Sequence, residues 1–196
     1  MSTKLSISKI LSNVIVILKK IKSKEALFFI KELKKNNNIK LYLDIARFLD
    51  QHAALLENKK EKNNIFKIVI LLYEFTIIQI GETLENIHGL GTVYLHLEKF
   101  AIALDYYKKA GRKFKYPGRS IDLANVYRQM DECSKAVLYY KKFIKDNPRN
   151  WIGWYNLSQI YKQLKKEKLF QTATSQTKKF LPKKFLQKNI ILNNLK

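Results

Sequence analysis

A single cysteine, Cys133, stands among the 196 residues. It cannot close an internal disulfide, so the fold must be held by its core, and a reducing compartment suits the chain. Glycine and proline are also scarce, at six and three residues. That composition excludes a linker or a disordered tail. No uninterrupted apolar run reaches the roughly 18 to 20 residues that cross a bilayer, so no transmembrane segment is expected. Ile10 to Leu18 is short and holds Ser12 and Asn13, while Phe66 to Ile80 carries Lys67 and Glu74. No small-residue cleavage pattern follows the first stretch, which argues against a secretory signal. The residues before Glu25 lack acid and are rich in Ser and Lys, as organelle transit peptides are, but they also lack Arg.

Acid is the other scarcity. Asp and Glu number 16 against 38 Lys and Arg, a formal net charge of +22. Such a charge favours anionic partners: nucleic acid, acidic proteins or an anionic membrane surface. A second reading fits equally well. Lys, Ile and Asn have A/T-rich codons, and an AT-rich genome raises all three without selection for binding.

The groups that carry catalysis are thin. Gly89-Leu90-Gly91 lacks the third glycine and the preceding strand of a phosphate-cradling loop. His52, His88 and His96 form no pair at metal-ligand spacing, and Cys133 has no cysteine nearby. Asp131 and Glu132 beside Cys133 would raise a thiol pKa, against nucleophilic use, and acids suit a helix start. No residue set takes catalytic roles, so neither an enzyme nor a cofactor is expected.

What is present is a repeat. Leu90, Leu123 and Leu157 lie 33 and 34 residues apart, each followed after four residues by Tyr94, Tyr127 and Tyr161. Ala103 and Ala136 are 33 apart, with Phe170 in the third copy, and Tyr107 and Tyr140 follow those alanines by four. Pro148 and Pro182 keep the same period. Each copy reads as two amphipathic helices, and one such unit cannot bury its apolar face alone, so copies stack.

This pattern resembles the tetratricopeptide-repeat (TPR) family: an aromatic, Leu-Gly, a tyrosine, a small alanine, an aromatic and a closing proline. The copies span 84–116, 117–150 and 151–184. Departures are Lys115 at the first closing position, with Pro117 two residues late, and Phe170, Thr174 and Thr177 in the third copy. The third copy's second helix is therefore expected to pack loosely. The resemblance implies an all-α, right-handed α-solenoid. Residues 1–83 read as divergent helices, or as degenerate copies of the same repeat, at 5–21, 26–33, 41–56 and 65–80, with polar breaks at Asn36 to Asn38 and Lys59 to Asn64. Residues 185–196, after Pro182, read as a capping helix.

Members of the family hold partners in a groove lined by the first helix of each repeat. Carried onto this sequence, those positions are Glu85, His88, Thr92, Leu95 and His96; then Ile121, Asn125, Arg128 and Gln129; then Ile152, Tyr155, Gln159, Lys162 and Gln163. The set suits an extended peptide, with Arg128 and Lys162 favouring an acidic one; an ordinary solvated helix face shows the same polarity. The clamp for chaperone carboxylate tails needs Lys and Asn, then Lys and Arg, where this chain has His88, Thr92, Ile152 and Asn156. The resemblance thus implies a protein-interaction scaffold or assembly chaperone. In size, repeat number and composition the chain is similar to plastid-type TPR factors of photosystem assembly, which places it in the cytoplasm or a stroma-like space.

Two other partners are kept open. Residues 162–196 hold ten basic residues and one acid, with Lys165, Lys166, Lys178, Lys179, Lys183 and Lys184 as a basic patch for nucleic acid. Trp151, Trp154 and Tyr155 resemble the aromatic start of half-TPR repeats in RNA-processing proteins, in this one copy. The 5–21 segment, apolar on one face and positive elsewhere, is a candidate for peripheral membrane contact, or simply a helix that caps the array.

Overall fold

The computed structural model describes residues 7–35 and 38–182. Among them are ten α-helices and no strand. The capping helix expected at 185–196, Lys183 and Lys184 lie outside the described residues. The chain forms two compact units, Met1–Phe114 and Lys115–Lys196.

The first unit contains α1 (Ile7–Ile21), α2 (Lys24–Lys35), α3 (Ile39–Ala54), α4 (Lys59–Ile80), α5 (Leu84–His96) and α6 (Phe100–Phe114). In α1 the apolar residues Ile10, Val14 and Leu18 recur every fourth position and are buried as one stripe, with α1 packed on α2 and α4. Over its described part, Ile7–Ile21, the apolar face that suggested membrane contact is thus turned into the protein. Asn38 starts α3 by accepting the Leu41 N–H at 2.7 Å. That puts the described end of the first polar break at a helix cap.

The second polar break is not a break. Asn58 caps α4 by accepting the Glu61 N–H at 3.0 Å, and helix runs unbroken from Lys59. Lys and Glu are good helix formers and lie exposed in the first turn, so polarity there marks a solvated helix face. This extension makes α4 long and apolar enough to cross a bilayer by length and composition, which the run from Phe66 alone was not. Here it packs against α1, α3 and α5 and buries Ile65, Phe66, Val69, Leu72, Tyr73 and Thr76. Tyr73 is wedged against α5: a methyl group on Gly89 would overlap its ring.

The second unit contains α7 (Arg119–Gln129), α8 (Cys133–Asp146), α9 (Trp151–Gln163) and α10 (Glu167–Phe180). Helix α8 packs on α7 and α9, and α10 on α9. Cys133 is the first residue of α8 and is partly buried, one position later than a turn. Of the two acids expected at a helix start, Glu132 is the N-cap residue of α8 and pairs with Lys135, while Asp131 stands one residue ahead of it in the turn, with a left-handed φ of 56°.

The repeats share one turn geometry. Helices α5, α7 and α9 end at a residue with φ near 60°: Glu98, Asp131 and Lys165 at 60°, 56° and 54°. The next N–H, of Lys99, Glu132 or Lys166, donates to the carbonyl of Tyr94, Tyr127 or Tyr161 at 2.9 Å. This is a Schellman-type closure, which satisfies carbonyls that a helix end otherwise leaves unpaired. The repeated tyrosine therefore supplies a backbone acceptor as well as a ring. Tyr94 stacks on Tyr106 at 5.5 Å, and Tyr127 on Tyr139 at 5.4 Å.

Small residues set the spacing between packed helices. A methyl group on Gly91 would lie 2.9 Å from the Tyr107 ring within the first hairpin, and Gly153 of α9 is closed at 2.8 Å by Phe143 of α8, in the preceding hairpin. The third hairpin is not loose. Phe170, Ala173, Thr174 and Thr177 of α10 are all buried, and Thr177 donates to the Ala173 carbonyl at 2.8 Å. A threonine that bonds within its own helix leaves little polar character to bury, which is how this position tolerates it.

Candidate protein-binding surface

The groove positions fall in both units, and the structure treats them differently. In the first unit, the residues of α5 are engaged by their own neighbours. Glu85 pairs with Arg47 of α3. His96 places Nδ1 3.1 Å from Asp50 Oδ1, and its ring stacks on Phe66 at 5.5 Å. Asp50 is only 7% exposed, so this histidine is its partner against an unpaired buried carboxylate. Thr92 donates to the His88 carbonyl at 3.2 Å and lies 3.1 Å from the Tyr107 hydroxyl, which serves as the donor between those two. The His88 ring packs on Tyr107 at 5.2 Å. His88, Thr92 and His96 thus hold α5 to α3, α4 and α6.

In the second unit four of the positions are exposed. Ile121, Asn125 and Arg128 are half-buried on α7, and Gln129 is exposed. Tyr155 and Gln159 are half-buried on α9, with Ile152, Lys162 and Gln163 exposed. Asn125 is held by Tyr140 of α8, which is fully buried and donates its hydroxyl to Asn125 Oδ1 at 2.6 Å. Burial pushes the Tyr140 hydroxyl above its ordinary pKa, and the neighbouring Arg128 guanidinium pulls part of the way back. Arg128 Nε is shielded from solvent and meets no hydrogen-bond acceptor. Trp151 and Tyr155 meet edge to face at 6.3 Å. The Lys162 ammonium sits 5.6 Å from the centre of the Phe170 ring, and Gln163 reaches Asp131 at 3.4 Å.

Of the basic patch, Lys165, Lys166, Lys178 and Lys179 are all exposed. Lys179 lies over the Phe180 ring at 5.4 Å. Among the described residues, no group of three His, Cys, Asp or Glu side chains is placed to hold a metal ion.

The sequence reading missed two hollows. One, of about 570 Å³ and open to solvent, is bordered by Ile17, Lys20 and Ile21 of α1 and by His52, Leu56 and Lys60. The other, of about 200 Å³, is lined by Tyr161, Leu169 and Ala173. Its signal was present in the repeat alignment: Ala173 stands at the period of Tyr106 and Tyr139.

No family model and no curated protein sequence matches the chain. Solved structures do. The chain is similar to pilF of Pseudomonas aeruginosa, with a TM-score of 0.62 at 12% identity over 90% of this chain and 77% of that one. It is similar to a tetratricopeptide repeat protein from Parabacteroides merdae, at 0.61 and 15% identity over 89% of this chain and 65% of that one. It is also similar to YrrB, a TPR protein with an unusual peptide-binding site, at 0.54 and 15% identity over 79% of this chain and 75% of that one. With ten helices among the described residues, hairpin turns repeating at 33 and 34 residues, and these likenesses together, the chain has the all-helical solenoid fold of tetratricopeptide-repeat proteins.

Proposed function

We propose that the chain is a non-catalytic protein-interaction scaffold, and that α7 and α9 hold an extended, acidic peptide segment of its partner. The observation that carries this is the Asn125, Arg128 and Tyr140 arrangement. A buried tyrosine fixes the Asn125 amide, and the Arg128 guanidinium beside it is half-buried on the same helix. A carboxylate laid along α7 meets that guanidinium from its open side, and Lys162 on α9 adds a second cation. The peptide-binding site of YrrB, a protein of similar fold, supports the same use of this one.

The test is a peptide array of acidic sequences, followed by titration of the binders against the parent and against Arg128→Ala and Tyr155→Ala. The reading expects affinity to fall about tenfold or more in each variant, and to weaken with added salt. Equal affinity in all three proteins removes the groove.

Within this reading, an assembly factor of the plastid type is the finer proposal. It predicts location beside membrane complexes in an organelle, and a single-cysteine chain suits such a reducing space. A nuclear or bacterial source gene would sink it. A second reading, nucleic-acid binding, is favoured by the exposed lysines of α10 and its flanking turn, where Glu167 is the one acid within 162–182. It predicts affinity that falls steeply with salt and with loss of Lys178 and Lys179.

A further inference from the structure

The second helices of the three hairpins carry the pairs Tyr106-Tyr107, Tyr139-Tyr140 and Ala173-Thr174 at one period. In the first two hairpins, the leading tyrosine stacks on the tyrosine of the preceding helix, at 5.5 Å and 5.4 Å. In the third, Tyr161 keeps its place on α9, but the ring that would cover it is replaced by a methyl group. The consequence is visible. A cleft of about 200 Å³ opens between α8 and α10, floored by Leu157 and Tyr161 and bordered by Ile144, Trp154, Leu169 and Ala173. Thr174, the second member of the pair, is 7% exposed, and its Oγ1 has no hydrogen-bond partner. Both substitutions remove an aromatic ring from the same hairpin.

The cleft is shaped and held. Trp154 is fixed by its indole N–H, which donates to the Pro148 carbonyl at 2.8 Å. Leu169, at its mouth, is 44% exposed, and Leu138, one turn from Lys141 on α8, is 64% exposed. The rim is cationic. Lys141 lines the cleft, Lys145 follows it by one turn, and Lys165 and Lys168 precede Leu169; all four are exposed. The acids nearby in sequence are Asp146 and Glu167, and Glu167 already accepts from Gln171 at 2.8 Å.

We infer that this cleft is a second docking site, which takes one aromatic side chain of an acidic partner segment. The inserted ring restores, between two chains, the tyrosine stack that the other hairpins make within one. An aromatic anchor in a close-fitting apolar pocket, ringed by opposite charge, is the arrangement that concentrates binding energy in a few residues. The charge of the rim selects an acidic segment and speeds the encounter. The inference rests on the protein-binding reading of the chain. It uses a different side of α9 from Tyr155, Gln159 and Lys162, so the two sites fail independently.

The probe is a glutamate-rich peptide with one central tyrosine, compared with the same peptide carrying alanine there. Binding to the full chain is followed by amide chemical shifts and by Trp154 fluorescence. The expected result is shifts centred on Leu169, Thr172 and Ala173, and about tenfold weaker binding of the alanine peptide. Ala173→Tyr, which fills the cleft from within, is expected to abolish this binding and raise the melting temperature. Lys141→Glu with Lys168→Glu, a surface change that keeps the core, weakens it by a similar factor and decides the matter should Ala173→Tyr not fold. In Arg128→Ala the ratio between the tyrosine and alanine peptides is kept, because the groove on α7 contributes equally to both. Equal binding by a folded Ala173→Tyr protein, or shifts confined to α7, overturns the proposal. So does a dimer of the parent chain that Ala173→Tyr makes monomeric, since the occupant is then a second copy.

Discussion

Gly89 and Gly91 lie two residues apart on α5, and the packing predicts opposite outcomes for the same substitution. A methyl group at Gly89 would overlap the ring of Tyr73, which is 3% exposed and held between α4 and α5. That ring has nowhere to go. Overpacking of this kind costs typically about 1–3 kcal/mol, and replacing a helical glycine by alanine returns roughly 0.8–1.0 kcal/mol. The overlap involves three atoms of the ring and belongs at the upper end of the overpacking range, so Gly89→Ala is expected to destabilise the first unit by about 2 kcal/mol, a melting shift of roughly 4–8 °C for each kcal/mol in a unit near this size. At Gly91 the new methyl would lie 2.9 Å from the edge of Tyr107. The next repeat already carries Ala124 there, against the equivalent Tyr140, so a small ring shift absorbs it. Gly91→Ala is expected within about 0.5 kcal/mol of the parent. Urea and thermal unfolding followed by circular dichroism compare the two. A Gly89→Ala protein as stable as the parent, or a reversed order, refutes the close approach of α4 and α5 described above.

Three further outcomes follow from the same contacts. Tyr140→Phe removes the donor to Asn125 and is expected to cost about 1 kcal/mol in urea unfolding; no loss of stability would show the bond to be without net worth. Lys165→Gly relieves a left-handed residue and should be neutral or slightly stabilising, whereas Lys168→Gly, inside α10, should cost about 1 kcal/mol; equal losses would contradict the turn geometry. Lys109 and Lys113 hold the Glu82 carboxyl below its ordinary pKa. The unfolded chain then takes up that proton first as pH falls, so this contribution is full above the ordinary carboxylate range and is lost on acidification through the folded value. Glu82→Gln should show a shallower loss of stability below about pH 5, and an unchanged acid profile would dismiss the pairs.

The helices and the repeat were legible because both rest on periodicities that burial enforces. Leu90, Leu123 and Leu157 are buried in each hairpin, Tyr127 and Tyr161 are buried with them, and Tyr94 packs half-buried against the core; core positions repeat. The start of α4 was not legible. Lys59 to Asn64 shows no apolar stripe, and what makes it helical is one cap, Asn58, and a solvated face. The groove positions were named from the family register alone, and that register could not show the prior engagement of His96 by Asp50, 46 residues away in sequence. Nor does a sequence show where a ring is missing until the other repeats show where it belongs, as Ala173 does beside Tyr106 and Tyr139.

The most direct test of the account is capture of partners by the tagged full chain from its own cells, with nuclease added, in parallel for the parent and for Arg128→Ala with Tyr155→Ala. The account predicts a protein partner that survives nuclease and is lost from the variant. Partners that vanish with nuclease, and are held equally by parent and variant before it, would contradict it and bring the lysines of α10 forward as the working surface.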